Sequence, residues 1–476
     1  PGVISQTITV DVIGDALEED DETFFVQLSN PSPGVFFSQA SGTGTIVDDD
    51  GAPKLSIADV SLSEGNSGSQ VATFVVNLSL AWADPVTVNY ATSNGTAVAP
   101  NDYQAQSGQL TFIPGDTQET IAITIFGDTM DEWDETFLVT LSNPSNATLV
   151  DNQAIGTISN DDTPPTLSIA DTSLAEGNSG TNTAVFTVTL SAVSGKTVTV
   201  NYATMDETAV APADYTAQTS SLSFAPGETQ KTITVSVVGD TVDEIDETFL
   251  VNLSSPSSAT LGDEQARATL SNDDTPPSVS INHVTASEGG SAGFTISLSQ
   301  ASGKPITVPY STLANSATAG VDFAVTSGEL SFAPGETSQP LTVPVLDDAL
   351  DEVDETFWVV LSSPTNASLA AEAQGQATIT DNDNPPVLSI SGTTVTEGDS
   401  GPVTAVFTVT LSQASSKVIT VAVNSSNGSA TAGVDYTAVA TTLTFIPGGP
   451  LSQTVSVDVL SDETAESSET FLLSLS

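Results

Sequence analysis

The chain has 476 residues, of which 6 are basic and 60 acidic, so that 6 − 60 gives a formal net charge of −54. It has no cysteine and one histidine, which excludes disulfide scaffolds, thiol enzymes and Cys/His zinc sites. The acidic excess excludes nucleic-acid binding, and no apolar run reaches the roughly 18 residues of a membrane span, so we expect no membrane insertion. Apolar residues amount to 38% and alternate with Ser and Thr, as in folded strands.

The sequence repeats with a period of about 110 residues, too long for a solenoid and typical of independent domains. A Glu-Gly step recurs at spacings of 112, 112 and 109 residues, at Glu64, Glu176, Glu288 and Glu397. An Asp-Tyr/Phe step, a Phe-x-Pro-Gly turn, an Asp-Glu-Thr-Phe phrase and a closing acidic triplet recur in the same order. Three triplets are followed by a Pro pair, which favours a semi-rigid linker and hence a beads-on-a-string rod.

These boundaries predict five segments. We expect the C-terminal half of a domain at 1–50, whole domains at 51–163, 164–275 and 276–384, and a domain without its last strand at 385–476. Within the first whole domain, period-two alternation predicts seven strands, A to G, near 54–62, 70–79, 86–92, 108–113, 118–126, 135–142 and 154–159. Seven short strands and no helix indicate an all-β fold of tandem immunoglobulin-like antiparallel sandwiches.

Strand direction places most of the acid at one end of each sandwich. If successive strands alternate, the A/B, C/D and E/F loops and the end of strand G share one pole. That pole receives nine of the fourteen acidic residues between 52 and 162. Carboxylates so close repel one another, and Ca²⁺, which takes six to eight oxygen ligands, is the natural counter-ion. The alternative is that the acidic loops only keep the protein soluble.

The same motifs carry a family resemblance. The order Glu-Gly, Asp-Tyr, Phe-x-Pro-Gly, Asp-Glu-Thr-Phe and acidic triplet resembles the Calx-beta domain, and it covers essentially the whole chain. The resemblance implies an immunoglobulin-like sandwich with a clustered Ca²⁺ site at one pole. It also implies oxygen ligands, by segment: Asp15, Glu19, Glu22, Asp48, Asp49 and Asp50; Glu64, Asp102, Asp128, the Met130 carbonyl, Glu132, Glu135, Asp161 and Asp162; Glu176, Asp214, Asp240, Glu244, Glu247, Asp273 and Asp274; Glu288, Asp322, Asp347, Asp348, Glu352, Glu355, Asp381 and Asp383; Glu397, Asp435, Asp462, Glu466 and Glu469.

The chain departs from the family pattern at two positions. Regulatory members carry an Asp where this chain has Gly14, Gly127 and Gly239, and only Asp347 keeps the acid. Asn160 and Asn272 replace the first acid of the triplet. We therefore expect fewer or weaker ions than in a full site.

The basic residues suggest how neighbouring repeats of the chain meet. Five of the six lie at a junction or on the less acidic pole: Lys54, Lys196, Lys231, Lys304 and Lys417. Acidic poles would then face weakly basic ones. Exposed ion pairs contribute about 0–1 kcal/mol each, so we expect them to orient the domains rather than hold them together.

The leading hypothesis is a Ca²⁺-stiffened stalk or fibre segment of a large secreted or cell-surface adhesin or matrix protein, of the kind found in bacteria. One alternative is a Ca²⁺-sensing regulatory module. Another is a filament subunit assembled head to tail by strand complementation, since 1–29 and 447–476 are equivalent stretches predicted as E and F strands. An enzyme is not expected: the acids recur in every unit, and His283, which we place in a strand, has no catalytic partner.

Overall fold

The computed structural model describes residues 2–15 and 19–476, and every regular element in them is a β-strand. None of these residues belongs to a helix that could cross a membrane. The chain forms two compact units. The first comprises Pro1–Leu174, Asn182–Val238 and Glu247–Leu270, and the second comprises Ala175–Thr181, Gly239–Asp246 and Ser271–Ser476.

The segment 1–50 contributes one antiparallel pair of strands, β1 (Glu22–Gln27) and β2 (Ser41–Ile46). Residues 2–15 form no strand, so the predicted E strand at this end of the chain is wrong for the part that is described. The 51–163 domain contains nine strands: β3 (Lys54–Ile57), β4 (Val60–Ser63), β5 (Ser69–Leu78), β6 (Val86–Asn94), β7 (Ser107–Phe112), β8 (Gln118–Phe126), β9 (Glu135–Ser145), β10 (Thr148–Asp151) and β11 (Gln153–Ser159).

These nine strands form two sheets, with the orders β10-β3-β5-β8 and β4-β11-β9-β6-β7. The prediction of one continuous strand A is wrong, because its halves β3 and β4 lie in different sheets. Each half pairs in parallel with a C-terminal strand, and the remaining pairs are antiparallel. Asp59, at the break, accepts the backbone N–H of Ile155 at 2.7 Å, which fixes the crossover from one sheet to the other.

The next two domains repeat this plan. The 164–275 domain contains β12 (Thr166–Ile169), β13 (Thr172–Ala175), β14 (Thr181–Leu190), β15 (Val198–Asp206), β16 (Thr219–Phe224), β17 (Gln230–Val238), β18 (Glu247–Ser257), β19 (Thr260–Asp263) and β20 (Gln265–Ser271). The 276–384 domain contains β21 (Ser278–Ile281), β22 (Val284–Ser287), β23 (Ser291–Leu298), β24 (Ile306–Ala314), β25 (Ser327–Phe332), β26 (Ser338–Pro344), β27 (Glu355–Leu361), β28 (Ser368–Leu369) and β29 (Gln374–Thr380).

The 385–476 segment forms two three-stranded sheets, β30-β31-β34 and β33-β32-β35. Their bounds are β30 (Leu388–Ile390), β31 (Val403–Leu411), β32 (Ile419–Asn427), β33 (Ala440–Phe445), β34 (Ser452–Val459) and β35 (Phe471–Leu475). The all-β, immunoglobulin-like sandwich fold is therefore confirmed across the repeats.

Period-two alternation builds the core of each sandwich. Along β5, Ala72, Phe74, Val76 and Leu78 are buried while the residues between them face outwards. Phe137 of β9 meets them in the interior, with its ring 5.8 Å from that of Phe74 in an edge-on contact. The side chains of the two sheets interdigitate, as the sequence pattern predicts.

His283 lies between β21 and β22 rather than in a strand. Its Nδ1 accepts the backbone N–H of Gln376 at 2.8 Å, at the place where Asp59 acts in the first whole domain. The imidazole therefore has a structural hydrogen-bond partner, which corrects the expectation of a strand residue.

Candidate metal centre

In the 51–163 domain the predicted loops converge on one pole. Glu64 follows β4, and its carboxylate lies with those of Asp161 and Asp162, the ligand oxygens all within 4.8 Å of one another. The A/B and G ends are held together because the backbone N–H of Gly65 donates to Asp161 Oδ1 at 3.2 Å. In the C/D loop, Asp102 Oδ2 accepts the backbone N–H of Val98 at 2.6 Å. Each of these bonds holds a loop in place and uses one oxygen of its carboxylate.

The E/F loop supplies the remaining predicted ligands of this domain. Asp128 Oδ1 accepts the backbone N–H of Met130 at 2.6 Å, closing a tight turn. The backbone N–H of Glu132 donates to Asn160 Oδ1 at 3.0 Å, which ties the loop to the end of strand G. The amide oxygen of Asn160 therefore holds the E/F loop against the end of strand G.

The pole is strongly anionic and partly desolvated. Burial, followed by the charges of Asp128 and other nearby carboxylates, raises the pKa of Glu64 to about 7. Burial and the neighbouring charge of Asp102 raise the pKa of Glu135 to about 7 as well, and burial and Asp128 raise that of Glu132. Without a counter-ion the folded domain must either hold protons on these groups near neutral pH or bear their repulsion.

Several carboxylate oxygens at these poles have no hydrogen-bond partner although they are out of contact with solvent. They are Asp162 Oδ2, Asp274 Oδ2, Glu288 Oε2 and Asp383 Oδ2. Only 9% of Glu288 is exposed. Buried polar atoms are normally satisfied, so oxygens left over inside an oxygen-only cluster fit a hard divalent cation such as Ca²⁺.

In the 164–275 domain, five of the predicted residues lie together in the second compact unit. Burial and the charges of Glu244, Asp240, Asp274 and Asp273 raise the pKa of Glu176 to about 7. The other two belong to the first unit. There Asp214 Oδ2 accepts the backbone N–H of Val210 at 2.6 Å, and Glu247 begins β18.

The 276–384 domain brings six of its eight predicted residues into two groups, Glu288 with Asp381 and Asp383, and Asp322 with Glu352 and Glu355. Burial, followed by the charges of Asp381, Asp348, Glu352 and Asp383, raises the pKa of Glu288 to about 7. Asp348 Oδ1 accepts the backbone N–H of Leu350 at 2.7 Å.

Asp347 reaches this pole because of its local backbone. The equivalent Gly127 has no room for a side chain, since a Cβ there would lie 1.9 Å from the Gly65 carbonyl oxygen. Opposite Asp347, the chain from Glu288 to Phe294 is four residues shorter than the equivalent stretch from Glu64 to Phe74, and it contains Gly289, whose φ is +68°. The departure from the family pattern at Gly127 therefore has a steric cause.

The two end segments hold looser versions of the site. In the described part of 1–50, the charge of Asp15 together with burial raises the pKa of Glu19. Burial and the charges of Asp48, Asp49 and Asp15 raise that of Asp50. Glu22 begins β1.

In 385–476, burial and the charges of Asp435, Asp462 and Glu397 raise the pKa of Glu466. Burial and Asp435 raise that of Glu469. The predicted residues of the segments 1–50 and 385–476 thus lie close enough for their charges to interact, and the charge of Glu22 contributes to the raised pKa of Glu19.

A buried contact whose residue pairing the sequence did not predict joins the pole of each complete domain to the following domain. Asp131, in the E/F loop of 51–163, is 2% exposed, and its Oδ1 lies 2.7 Å from the Nζ of Lys196 in the next domain. Its carbonyl oxygen accepts Ser194 Oγ and the backbone N–H of Gly195, both at 3.1 Å. Lys196 Nζ also lies 4.9 Å from the centre of the Trp133 ring. We call this arrangement the lysine clasp.

The clasp recurs at the next two junctions. Asp243 is held by Ser302, Gly303 and Lys304, with Nζ at 2.7 Å. Asp351 is held by Ser415, Ser416 and Lys417, with Nζ at 2.6 Å. The expectation of exposed ion pairs is therefore wrong for the three Asp side chains, which are at most 4% exposed, whereas the Lys side chains are 14–38% exposed. That the pairs orient the domains stays a prediction. A Ser-x-Lys triplet recurring before strand C is the sequence signal that could have identified the clasp.

The remaining basic residues take no part in it. Lys231 pairs with Glu228 of its own domain, and Lys54 has no ion pair with any described residue. The residues in the clasp position of 51–163 are Trp82, Ala83 and Asp84, which lack the necessary hydroxyl and ammonium. The corresponding acceptor, Glu18, lies outside the described residues. The clasp is thus a property of the junctions after 163, 275 and 384.

The fold and its loops define a class of protein: tandem immunoglobulin-like β-sandwiches with a carboxylate cluster at one pole of each complete domain. A family model described as the Calx-beta domain matches residues 1–50, 48–162, 160–275, 272–384 and 381–476. The chain therefore belongs to the Calx-beta family, which confirms the resemblance read from its motifs.

Curated relatives include an exchanger and extracellular matrix proteins. Sodium/calcium exchanger 1 of Canis lupus familiaris is 33% identical over 192 residues, covering 35% of this chain and 20% of that protein. Extracellular matrix protein 3 of Lytechinus variegatus is 26% identical over 503 residues, covering 97% of this chain and 16% of that protein. FRAS1-related extracellular matrix protein 2 of Homo sapiens is 28% identical over 326 residues, covering 62% of this chain and 10% of that protein. The chain thus spans about a fifth or less of these relatives.

Solved structures were also compared with the chain. CBD12 from CALX1.2 matches with a TM-score of 0.23 and 19% identity, covering 45% of this chain and 99% of that one. The calcium binding domain CBD12 of CALX1.1 has the same TM-score with 23% identity, covering 43% and 82%. Scores at this level carry no argument. The curated relatives described above are animal proteins, so the comparisons give no support to the bacterial source expected from the sequence.

Proposed function

We propose that this chain is a calcium-binding structural repeat region of a larger extracellular protein, in which Ca²⁺ at each acidic pole stiffens the junction to the next domain. The observation that carries the proposal is the pole itself, an oxygen-only cluster with buried, unpartnered carboxylate oxygens such as Glu288 Oε2. The matrix-protein relatives support an extracellular, non-catalytic role.

The residues that would hold Ca²⁺ are those predicted from the sequence. In the 51–163 domain they are Glu64, Asp102, Asp128, the Met130 carbonyl, Glu132, Glu135, Asp161 and Asp162. When bound, the ion would neutralise carboxylates whose mutual repulsion the loops otherwise bear. We propose the domain boundaries that the sequence predicts, with complete domains at 51–163, 164–275 and 276–384 between the end segments 1–50 and 385–476.

The lysine clasp explains how an ion bound at the pole could affect the junction to the next domain. Asp131, which the next domain holds, is adjacent in sequence to Glu132, and a Cβ on Gly195 of the next domain would lie 2.7 Å from Glu132 Oε1. A metal that fixes Glu132 would therefore fix the same turn that carries the clasp. Ca²⁺ binding at the pole and ordering of the junction between the two domains would then be coupled through the E/F loop.

The experiment is a calcium titration of the full chain by calorimetry, with thermal melting in Ca²⁺ and in chelator. Saturable binding with a rise in Tm supports the proposal, and the absence of binding would leave the poles as solubilising surfaces only. Dissociation constants of roughly 10⁻⁴ to 10⁻³ M are expected for an extracellular module.

A second candidate, a Ca²⁺-sensing module, is favoured by the similarity to sodium/calcium exchanger 1. It would require dissociation constants of roughly 10⁻⁷ to 10⁻⁵ M. The same titration therefore separates the two functions.

A further inference from the structure

In the 276–384 domain one carboxylate takes part in both the metal cluster and the lysine clasp. Asp381 groups with Glu288 and Asp383, with ligand oxygens within 4.8 Å of one another. Its Oδ2 also lies 3.1 Å from Lys417 Nζ, which at the same time lies 2.6 Å from Asp351 Oδ1. The ammonium of the next domain thus already serves as a counter-ion inside this pole.

The other two complete domains keep the clasp and the cluster apart. Asn160 and Asn272 occupy the position of Asp381. Their Oδ1 atoms accept the backbone N–H groups of Glu132 and Glu244, at 3.0 and 2.9 Å. Their Nδ2 atoms face the clasp aspartate, at 3.4 and 3.3 Å. A neutral amide bonded in this way gives the lysine no cluster carboxylate to share.

We propose that Lys417 is a tethered cation that competes with the metal for Asp381, so that metal binding at the 276–384 pole and the clasp at the junction after residue 384 oppose each other. Both cations need the same carboxylate, and a divalent ion bound to it repels the nearby ammonium. Because such coupling is reciprocal, the closed clasp weakens metal binding and bound metal loosens the clasp. This inference rests on the proposed calcium function and makes one junction an exception to it.

The test uses the full chain, which has no native cysteine. A cysteine is introduced by Val321→Cys, beside Asp322, and in a separate chain by Val98→Cys, in the C/D loop of the 51–163 domain. Val321 and Val98 are 57% and 45% exposed, and each introduced thiol carries an environment-sensitive fluorophore that reports its own pole. The Ca²⁺ midpoint is then measured with and without the local clasp lysine.

Lys417→Met is expected to lower the Ca²⁺ midpoint of the Val321 label about fivefold, the lower end of typical coupling between sites. Lys196→Met, the matched control at an Asn pole, is expected to give no such gain at the Val98 label. Asp381→Asn should abolish the effect of Lys417→Met, and Lys417→Arg, which keeps the charge, should retain the original midpoint.

Each outcome of this series is decisive. A midpoint at the Val321 label that rises or stays constant in Lys417→Met overturns the competition, even while both labels respond to Ca²⁺. A chain in which neither label responds to Ca²⁺ overturns the proposed function and this inference with it. A fall in midpoint that persists in the Asp381→Asn background also overturns the assignment of Asp381 as the shared group.

Discussion

Removing one partner of a lysine clasp should open the E/F loop of the preceding domain. In Lys196→Met, the carboxylate of Asp131 keeps only the long contact from the Asn160 amide to Oδ1, at 3.4 Å, and its Oδ2 has no partner. The attraction across 2.7 Å amounts to about 6 kcal/mol at an effective dielectric of 20. Much of it is offset by desolvation, and breaking a buried pair from one side costs about 3–5 kcal/mol.

Hydrogen exchange read by mass spectrometry measures this opening locally in the full chain. A cost of about 3 kcal/mol corresponds to roughly a hundredfold faster exchange in the peptide covering residues 128–135. Lys231→Met is the control, because it removes a partly exposed pair with Glu228 worth about 0–1 kcal/mol. The double variant Lys196→Met/Asp131→Leu should recover most of the protection, since paired apolar replacements are often neutral.

Exchange in residues 128–135 that is unchanged in Lys196→Met would refute this reasoning. It would mean that the clasp contributes no more than an exposed ion pair. An equal loss in Lys231→Met would point instead to a general effect of removing positive charge from a chain of net charge −54.

Three further predictions concern the poles. Burial and neighbouring carboxylates raise the pKa of Glu64 and Glu288 to about 7, so the metal-free chain should lose stability as the pH rises from about 4.5 through 7. Thermal melting in chelator at pH 5 and at pH 8 measures this loss, and a higher Tm at pH 8 would contradict the prediction. Calcium at tenfold excess over its dissociation constant should add about 1.4 kcal/mol per ion, measured as a Tm rise at pH 8. Gly127→Ala should lower the free energy of unfolding by about 1–3 kcal/mol, because the new Cβ would collide with the Gly65 carbonyl oxygen. Denaturant unfolding measures this loss, and the control is Gly51→Ala, whose new Cβ has no atom within 4 Å.

The sequence determines the repeated sandwich and the place of the acid, because both follow from local patterns. Alternation along β5 places Phe74 and Val76 on the same face of the strand, whatever the rest of the chain does. The direction of successive strands places the loops of Glu64 and Asp102 at one pole, where the charges of both residues raise the pKa of Glu135. These features repeat with the motifs, so they could be predicted without coordinates.

The assignment of the two halves of strand A to different sheets could not be predicted in that way. The inward apolar positions shift from Leu55 and Ile57 to Val60 and Leu62, which indicates a break at Asp59, but only pairing with β10 and β11 shows that the halves belong to different sheets. A periodic pattern identifies which face of a strand is buried but not the sheet to which it belongs. The steric exclusion of a side chain at Gly127 likewise depends on a loop some 60 residues earlier in the chain.

The sequence alone thus determined the domain type and the acidic poles, whereas the tertiary structure alone decided how consecutive domains hold each other. Asp131 and Lys196 are 65 residues apart and belong to different sandwiches, so the recurring Ser-x-Lys triplet indicates the lysine but not the aspartate with which it pairs. The sequence suggests that the Asp131 carboxylate is on the surface, but in the folded protein it is buried and its ion pair is removed from water. The same packing places Asp381 Oδ2 3.1 Å from Lys417 Nζ, a contact that exists only when both domains are folded.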